Sequence, residues 1–259
     1  MDINLFRFTF FIAGLVVMGL LETFFPCRPW QDKRSRRFGF HLGLSVFNNL
    51  ILRFPAFLPL MYLNALAYDR GFGVLSMFEL SSGEHILISL IVMDMLIYWW
   101  HRFNHRIPLL WRFHKVHHVD THVDICTSLR FHPGELFLST IVKASWILLL
   151  GPSVWAFIIF ESAITLFTQF HHSNIDLGDR GERIVRSVIV TPRFHTAHHT
   201  VSKRTGDANF STIFIFWDKL FDSYNEPDFE EMKFLGLEKG RETYLSFGTT
   251  LAAPFRSAY

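Results

Sequence analysis

Histidine is concentrated in three short clusters of this chain. Of the fourteen histidines, eight lie in the clusters His101-Arg-Phe-Asn-His105, His114-Lys-Val-His117-His118 and His195-Thr-Ala-His198-His199. In a helix, residues i, i+3 and i+4 share one face, so each cluster would direct two or three imidazoles toward a common point. Neutral imidazole binds zinc, copper, iron and nickel. The clusters therefore predict a metal-dependent enzyme.

The number of imidazoles indicates more than one metal ion. A structural zinc site needs four ligands, whereas the clusters supply eight, with His132, His171 and His172 in reserve. Ten imidazoles would form two sites of about five ligands each, which leaves a position open on each metal for oxygen or water. The His-Glu-x-x-His arrangement of zinc hydrolases is missing. The alternative is a surface or regulatory set of metal-binding histidines.

The segments around the clusters are long and apolar. Hydrophobic residues make up 50% of the chain, and phenylalanine alone supplies thirty positions. A membrane-spanning helix needs about 20 mainly apolar residues, and runs of this kind, or close to it, cover residues 5–25, 40–67, 85–100 and 136–170. We therefore expect an all-α integral membrane protein with about four transmembrane or hairpin helical regions and a cytoplasmic helical cap that holds a histidine-rich dimetal site.

Helix-breaking residues interrupt two of these apolar runs. Asn48, Asn49, Pro55 and Pro59, together with the charged Arg53, fall within the second run, which predicts a kinked or partly re-entrant pair of segments. The sequence Gly151-Pro152-Ser153 divides the fourth run. This division predicts a helical hairpin that enters the membrane and returns to the same side.

Basic residues after the first apolar run predict the topology. They are Arg28, Lys33, Arg34, Arg36 and Arg37. Because Lys and Arg near span ends prefer the cytoplasm, this loop and all three histidine clusters are expected on the cytoplasmic side. The first run could instead be a signal peptide, but no small-residue cleavage pattern follows it, which favours an uncleaved anchor. A short chain without a fused electron-transfer domain is compatible with a bacterial inner membrane.

Composition excludes several other classes of protein. A formal net charge of +2 offers no broad electrostatic surface for nucleic acid. Cys27 and Cys126 are too few and too dispersed for a disulfide framework, a zinc ribbon or an iron–sulfur cluster. No Gly-rich nucleotide fingerprint is present. The sequence thus contains no motif for a redox cofactor such as an iron–sulfur cluster or a bound nicotinamide. If the metal-dependent reaction consumes electrons, a separate protein must supply them.

Aromatic and acidic elements accompany the histidine clusters in a characteristic order. In chain order the elements are Asp94-x-x-x-Tyr98-Trp99-Trp100-His101-Arg102-x-x-His105, Leu110-Trp111-x-x-His114-x-x-His117-His118, Arg130-Phe131-His132-Pro133, His172-Ser173-Asn174, His195-x-x-His198-His199, Asn209 and Trp217-Asp218-Lys219-Leu220-Phe221. Together they resemble the fatty acid hydroxylase/sterol desaturase superfamily over residues 90–224. The resemblance implies a membrane-bound non-haem di-iron oxygenase that uses O2 and two electrons to hydroxylate or desaturate a lipid, such as a sterol or fatty acyl chain.

The resemblance also implies a set of metal ligands. They are His101, His105, His114, His117, His118, His172, His195, His198 and His199, with His132 as a tenth. The expected cofactor is two iron ions, which zinc could replace in purified protein. His132 precedes Pro133 in a turn-like stretch, so it could instead cap a helix or hydrogen-bond a ligand.

Two acidic residues in apolar runs are candidates to orient the ligands, since metal-bound imidazoles usually donate their other N–H to a carboxylate or carbonyl. Asp94 lies seven residues before His101 on the same helical face, and we expect it to pair with a histidine rather than with a helix neighbour. Glu161 shares a helical face with His172. It could hold a ligand imidazole, bind a polar substrate head group or face water.

Further supporting roles are predicted near the later clusters. Asp207 and Asn209 follow the last cluster closely enough to hydrogen-bond its histidines. His171 is expected beside the metals or on the surface. Asp218 is expected to cap or brace the cytoplasmic lid.

A ferredoxin, b-type cytochrome or reductase is the expected electron donor. It would dock on the cytoplasmic face, where basic residues adjoin the histidine clusters. These residues are Lys115, Arg193, Lys203 and Arg204. The same charges could equally bind anionic lipid head groups.

We expect three parts in the chain: membrane-anchoring helices over residues 1–89, a catalytic domain over 90–224 and a polar C-terminal cap or tail over 225–259. Ether-lipid cleavage or carotenoid hydroxylation could use the same site. A different class of function would be a membrane metal transporter or metal sensor. A transporter should place its ligands near the membrane midplane, whereas these clusters begin where the apolar runs end, which favours an enzyme.

Overall fold

The computed structural model describes residues 3–30, 33–239 and 245–256. Across these residues the regular structure is helical, with isolated β-bridges but no strand. The α-helices are α1 Ile3–Phe24, α2 Arg34–Asn48, α3 Phe54–Asp69, α4 Ser82–Arg106, α5 Pro108–His118, α6 Pro133–Leu150, α7 Val154–His172, α8 Gly178–Arg186, α9 Pro192–His198, α10 Lys203–Gly206, α11 Phe216–Leu220 and α12 Phe247–Ala252.

Five helical stretches among the described residues are long and apolar enough to cross a membrane. They are Leu5–Phe24, Arg34–Met77, Ser82–Arg106, Pro133–Leu150 and Val154–His172. The chain is a multi-pass membrane protein, and the predicted all-α membrane architecture is confirmed. Helix α5 and the short helices α8–α12, with their connecting segments, form a helical cap at one end of these stretches.

The second apolar run forms one helical stretch that changes its winding midway. A π-helical turn, Asn49–Arg53, joins α2 to α3. Pro55 lies two residues after this turn and has no N–H to donate to the preceding helical turn, and the Phe54 N–H bonds the Asn49 carbonyl five residues back. Helix α3 continues to the far end of the hairpin, where Asn64 Nδ2 donates to the Pro152 carbonyl at 2.8 Å. The re-entrant alternative is therefore not adopted.

The α6–α7 hairpin follows the prediction from Gly151-Pro152-Ser153. Gly151 ends α6 at a φ of +66°, and a Cβ there would lie 1.9 Å from the Phe72 carbonyl oxygen. Only glycine allows both this backbone conformation and this close approach. The hairpin leaves the cap at Pro133 and returns to it at His172.

Candidate metal centre

Four helices bring nine histidines together where the membrane helices meet the cap. Helix α4 supplies His101 and His105 near its C-terminal end, and α7 supplies its last residue, His172. Helix α5 carries the second cluster, and α9 with its C-cap residue His199 carries the third. The start of α9 is fixed because Pro192 occupies its first turn and the Thr191 hydroxyl accepts from the Phe194 N–H at 3.3 Å.

The nine histidines form two adjacent groups, in each of which one ring nitrogen per residue lies within 4.8 Å of all the others. The first histidine group consists of His101, His105, His114, His118 and His198. The second histidine group consists of His117, His172, His195 and His199. The ring centroids of His118 and His199, one from each group, are 4.4 Å apart.

Each His-x-x-His-His cluster contributes to both groups. On α5, His114 and His118 point to the first group, while His117 points to the second. Residues i and i+4 are about 40° apart around a helix, whereas adjacent residues are about 100° apart. The expectation that each cluster serves one common point is therefore wrong for these two clusters. Because the second and third clusters each divide their histidines in this way, three clusters supply two groups.

Close approaches between nitrogens fit a shared ion in each group. His105 Nε2 lies 3.1 Å from His118 Nε2, and His172 Nε2 lies 2.9 Å from His117 Nε2. Imidazole nitrogens that bind one metal at about 2.0–2.1 Å are separated by similar distances. His114 Nε2 and His198 Nε2 are buried without a hydrogen-bond partner. Unpartnered buried nitrogens of this kind are available to a metal.

Five of the nine rings are oriented by an acceptor on the side away from their group. The Nδ1 contacts are His101 to Phe210 O at 2.8 Å, His114 to Glu135 Oε1 at 2.8 Å, His117 to Arg130 O at 3.0 Å, His172 to Thr168 O at 2.7 Å and His198 to Ala208 O at 2.6 Å. An Nδ1–H that donates to such an acceptor leaves the Nε2 lone pair facing the group.

Burial keeps the histidines of the cap neutral. It lowers the pKa of His117, His195 and His199 well below the ordinary value, and neighbouring imidazoles lower it further. Burial likewise lowers the pKa of His198 to about 3. Only a neutral imidazole can bind a metal. The donor set, its protonation and its geometry therefore fit two ions of a borderline metal such as iron or zinc.

The comparison with known families rests on more than half of the chain. Residues 86–223 match the model of the fatty acid hydroxylase family. The chain belongs to this family. No solved structure gives a significant match.

Several members of the fatty acid hydroxylase family are similar to the chain. It is 33% identical to alkylglycerol monooxygenase of Danio rerio over 53% of this chain and 30% of that protein. It is 23% identical to ornithine lipid hydroxylase OlsE of Rhizobium tropici over 84% of this chain and 66% of that protein. It is 27% identical to cholesterol 25-hydroxylase of Rattus norvegicus over 69% of this chain and 58% of that protein. The chain thus spans less than two thirds of each relative.

His132 lies outside both histidine groups of this family member. Its Nδ1 accepts from the Gly134 N–H at 2.9 Å as the N-cap of α6, and its Nε2 lies 3.2 Å from the Leu251 carbonyl oxygen. Both nitrogens therefore have other partners. The prediction that His132 is a tenth ligand is wrong, and the helix-capping alternative is confirmed.

Neither acidic residue predicted from the apolar runs contacts a histidine. Asp94 accepts from the backbone N–H groups of Ile213 and Phe214, and from the Trp217 indole at 2.8 Å. Glu161 lies 2.6 Å from Lys143. The prediction that Asp94 pairs with a histidine is wrong, and of the alternatives for Glu161 contact with a ligand imidazole is not the one found. Helical facing alone does not show which neighbouring element reaches a side chain first.

The polar side chains after the last cluster also have other partners. Asp207 pairs with Arg106 at 3.0 Å, and Asn209 bonds both backbone groups of Asn225. The backbone carbonyl of Ala208, between them, accepts from His198 instead. His171 contributes no nitrogen to either group, but its ring centroid is 4.0 Å from that of His195.

Asp218 braces the cap as predicted. Its carboxylate accepts from the N–H groups of Phe210 at 2.8 Å and Ser211 at 2.9 Å. Because the Phe210 carbonyl accepts from His101, this brace fixes the acceptor that orients a group member.

Sequence reasoning missed Glu135, the carboxylate that does contact a group member. Glu135 lies in the first turn of α6, is buried, and accepts from His114. A glutamate directly after Pro133-Gly134, at the start of an apolar helix, was the available signal.

Sequence reasoning also missed a buried ionic network beside the centre. Arg37 Nη1 lies 2.7 Å from Asp120 and its Nε 3.0 Å from Asp124, and Arg37 also donates to the His122 carbonyl. Burial alone would raise the pKa of Asp120, but Arg37 outweighs it and holds that pKa well below the usual range. Nothing in the sequence indicated this pairing across more than eighty residues.

The basic residues predicted as a docking surface are mostly engaged within the chain. Lys115 is buried. Arg193 pairs with Asp179 at 2.9 Å, and Arg204 pairs with Glu231 at 3.0 Å. Of these four cations, only Lys203 is exposed without a described ion pair.

Proposed function

We propose that this protein is a membrane-bound di-iron oxygenase that hydroxylates a lipid, using O2 and electrons from a separate ferredoxin, b-type cytochrome or reductase. The observation that carries the proposal is the pair of histidine groups, nine largely buried imidazoles beside apolar helices. Iron bound there would supply the O2-dependent oxidation of an unactivated C–H bond, which amino-acid side chains cannot perform. One oxygen atom goes to the lipid, and the other leaves as water after the uptake of two electrons and two protons.

The chain's own residues would hold and orient the two ions. The first histidine group offers five nitrogens and the second offers four. Carbonyl groups and Glu135 fix the rings from outside, so little reorganisation is needed when metal binds. The surrounding apolar helices would admit a lipid from the bilayer and exclude water.

The named relatives favour hydroxylation over desaturation. The three relatives described above are named as hydroxylases or monooxygenases. An ether-lipid monooxygenase is a second candidate, because alkylglycerol monooxygenase of Danio rerio is 33% identical over 140 residues. A metal transporter is disfavoured, since both groups lie at one end of the membrane helices rather than midway.

We further propose that the cap faces the cytoplasm, in keeping with the basic residues after α1. A bacterial inner membrane would suit this arrangement. The segments over residues 1–89, 90–224 and 225–259 then serve as anchor, catalytic domain and C-terminal cap.

Metal content is the first test of this function. Purified protein should contain about two iron ions per chain, and His117→Ala or His198→Ala should each lower that content. Two zinc ions per chain would support two metal sites but would not identify the native metal. Folded protein that stays metal-free after iron loading, whatever the histidine variant, would overturn the proposal.

Product analysis tests the reaction itself. Iron-loaded protein with a chemical reductant and isotopically labelled O2 should place labelled oxygen in a lipid. Labelled water should give no label. Product that forms equally well without O2 would contradict an oxygenase.

A further inference from the structure

Part of the cap contacts the middle of a membrane-spanning helix. The Asp94 carboxylate on α4 accepts from the backbone N–H groups of Ile213 at 3.2 Å and Phe214 at 3.1 Å. The Trp217 indole donates to the same carboxylate at 2.8 Å. Asp94 is twelve residues from either end of α4, which corresponds to about 18 Å of helix on each side. The segment that leads into α11 therefore lies at membrane depth.

Apolar packing places this segment at the same depth. Ile213 belongs to a core cluster that includes Met93 of α4. Trp217 belongs to a second cluster, against which Ile91 of α4 packs. Met93 and Ile91 precede His101 by eight and ten residues, which corresponds to about 12 and 15 Å along the helix. These contacts lie well to the membrane side of the histidine groups.

The backbone of this segment is satisfied within the protein, as non-helical backbone at membrane depth must be. Besides the two bonds to Asp94, the Ile215 N–H donates to the Val188 carbonyl at 3.1 Å. The Val190 N–H donates to the Ile213 carbonyl at 2.9 Å. This pairing brings residues 188–190 to the depth of the segment. It also explains a carboxylate within an apolar helix, since Asp94 satisfies backbone donors there.

Helix α8 connects the end of the first membrane span to this depth. Two residues before α8, the Asp176 N–H donates to the Phe25 carbonyl, just beyond the end of α1. Two residues after α8, the Val188 carbonyl accepts from Ile215. The nine residues of α8 span about 13 Å. The helix therefore runs from the level of the end of α1 toward the middle of α4.

The outward side of these segments is apolar. Four side chains are exposed there: Ile184 by 61%, Val188 by 54%, Phe216 by 41% and Leu220 by 65%. We name them the apolar cap face. The members of each pair, 184 with 188 and 216 with 220, are four residues apart and share one side of their helical turn. Exposed apolar residues that group in this way mark an interaction surface.

Basic side chains adjoin the apolar cap face. Arg180 lies one turn before Ile184 on α8, Arg183 is the neighbour of Ile184, and Lys219 is the neighbour of Leu220. All three cations are exposed, and none has a carboxylate within 4.0 Å among the described residues. Such side chains cover apolar surface with their alkyl stems and place their charges among anionic head groups.

We infer that the apolar cap face is embedded in the bilayer leaflet on the side of the cap, with lipid acyl chains against its four apolar residues and anionic head groups beside the three cations. The face is continuous with the membrane surface of α4, where Leu87, one turn beyond Ile91, is 58% exposed. A soluble electron donor would require a face that projects from the membrane. The histidine groups, about 10 Å further along α4, then lie near the level of the lipid head groups.

Fluorescent labels along one side of α8 test this depth. Arg180→Cys, Ile184→Cys and Val188→Cys are made on a Cys27→Ser, Cys126→Ser background and labelled with bimane. The protein is reconstituted in vesicles of phosphatidylcholine and phosphatidylglycerol. Quenching by lipids brominated on their acyl chains should increase from 180 to 188, and quenching by aqueous iodide should decrease. The labels at 184 and 188 should lie about 5–10 Å below the membrane surface.

Leu220→Cys and Phe234→Cys form a matched pair on the same background. The two side chains are exposed by 65% and 64%, but Phe234 lies on the part of the cap that pairs with Val201, beyond α9. Brominated lipid should quench the Leu220→Cys label, and iodide should quench the Phe234→Cys label. Thermal midpoint and metal content show that each variant is folded. If Leu220→Cys fails to fold, Phe216→Cys replaces it.

Three results would overturn the inference. Iodide quenching at 184 and 220 as strong as at 234 would show that water covers the face. Protection of these labels from both quenchers would show that protein covers it, either a second copy of this chain or another segment. Equal quenching by brominated lipid at 180, 184 and 188 would show that α8 does not enter the leaflet. None of these results would alter metal content or lipid oxidation, which test the proposed function separately.

Discussion

At the residue scale, Glu135 distinguishes the two histidine groups. It is the one carboxylate among the described residues that contacts a group member, through His114 Nδ1 at 2.8 Å. A carboxylate partner fixes the ring and raises its basicity. We predict that Glu135→Gln weakens metal binding in the first histidine group by about 10- to 100-fold, as for other such partners. Stepwise metal titration would show one weakened site and one near-normal site.

Asp207→Asn is the matched control for this carboxylate. Asp207 follows the last cluster in sequence but pairs with Arg106, so its loss should leave both affinities unchanged. Equal weakening of both sites in Glu135→Gln would indicate a general structural role instead.

Substitution of His132 tests whether this histidine caps a helix or binds metal. His132→Ala should keep the full metal content, because both ring nitrogens face partners other than the histidine groups. It should lower stability by about 1 kcal/mol through loss of the α6 N-cap. His105→Ala should show the opposite pattern, with reduced metal content. Metal analysis and thermal unfolding of the two variants give the comparison, and metal loss in His132→Ala would restore it to the ligand set.

We predict that His122 makes the stability of the protein sensitive to acid, independently of the nine grouped histidines. Burial lowers its pKa to about 4 from 6.5, with Asp124 opposing the shift and Arg37 and Arg28 adding to it. A folded-state pKa below the unfolded value means that stability is complete above pH 6.5 and falls as pH drops toward 4. The full pKa difference corresponds to about 3 kcal/mol in the free energy of unfolding.

The test is the thermal midpoint of metal-free protein between pH 7 and pH 4. His122→Gln should lose less stability over this range than wild-type protein, because one titrating group has been removed. Parallel pH curves for the two proteins would contradict the predicted contribution.

At the element scale, sequence patterns located the helices and most of the centre. The apolar runs, the Gly151-Pro152-Ser153 turn and the spacing within each cluster depend on local periodicity, which one chain displays directly. Asp94 and Asp207 were assigned wrongly because their partners come from segments that only the folded chain brings near. Backbone carbonyls such as Ala208 O carry no sequence signal at all. Long-range partners therefore limit what sequence alone predicts.

Arg37 shows how such a long-range partner joins two elements. From α2 it reaches Asp120 and Asp124 in the segment that follows α5. Arg37→Met would leave two buried carboxylates unpaired, and we expect a loss of about 3–5 kcal/mol in stability. Adding Asp120→Asn should recover part of the loss. Thermal unfolding of the single and double variants measures this, and additive losses would show that the two residues do not interact.

At the scale of the whole molecule, the two histidine groups lie at one end of five candidate membrane spans. The connection between α3 and α4 packs against the Gly151 turn at the opposite end. In the proposed function, a lipid would approach from the bilayer and electrons would arrive through the cap. These separate routes require the cap and the Gly151 turn to face opposite sides of the membrane.

Two matched cysteine variants test that orientation, on a Cys27→Ser, Cys126→Ser background. Glu79→Cys lies in the exposed connection between α3 and α4, and Glu230→Cys lies on the exposed surface of the cap. A membrane-impermeant maleimide should label Glu230→Cys in inverted vesicles and Glu79→Cys in right-side-out vesicles, because the cap is proposed to be cytoplasmic. The reverse pattern would place the cap outside and exclude a cytoplasmic electron donor. Labelling of both from one side would contradict membrane-spanning α3 and α4.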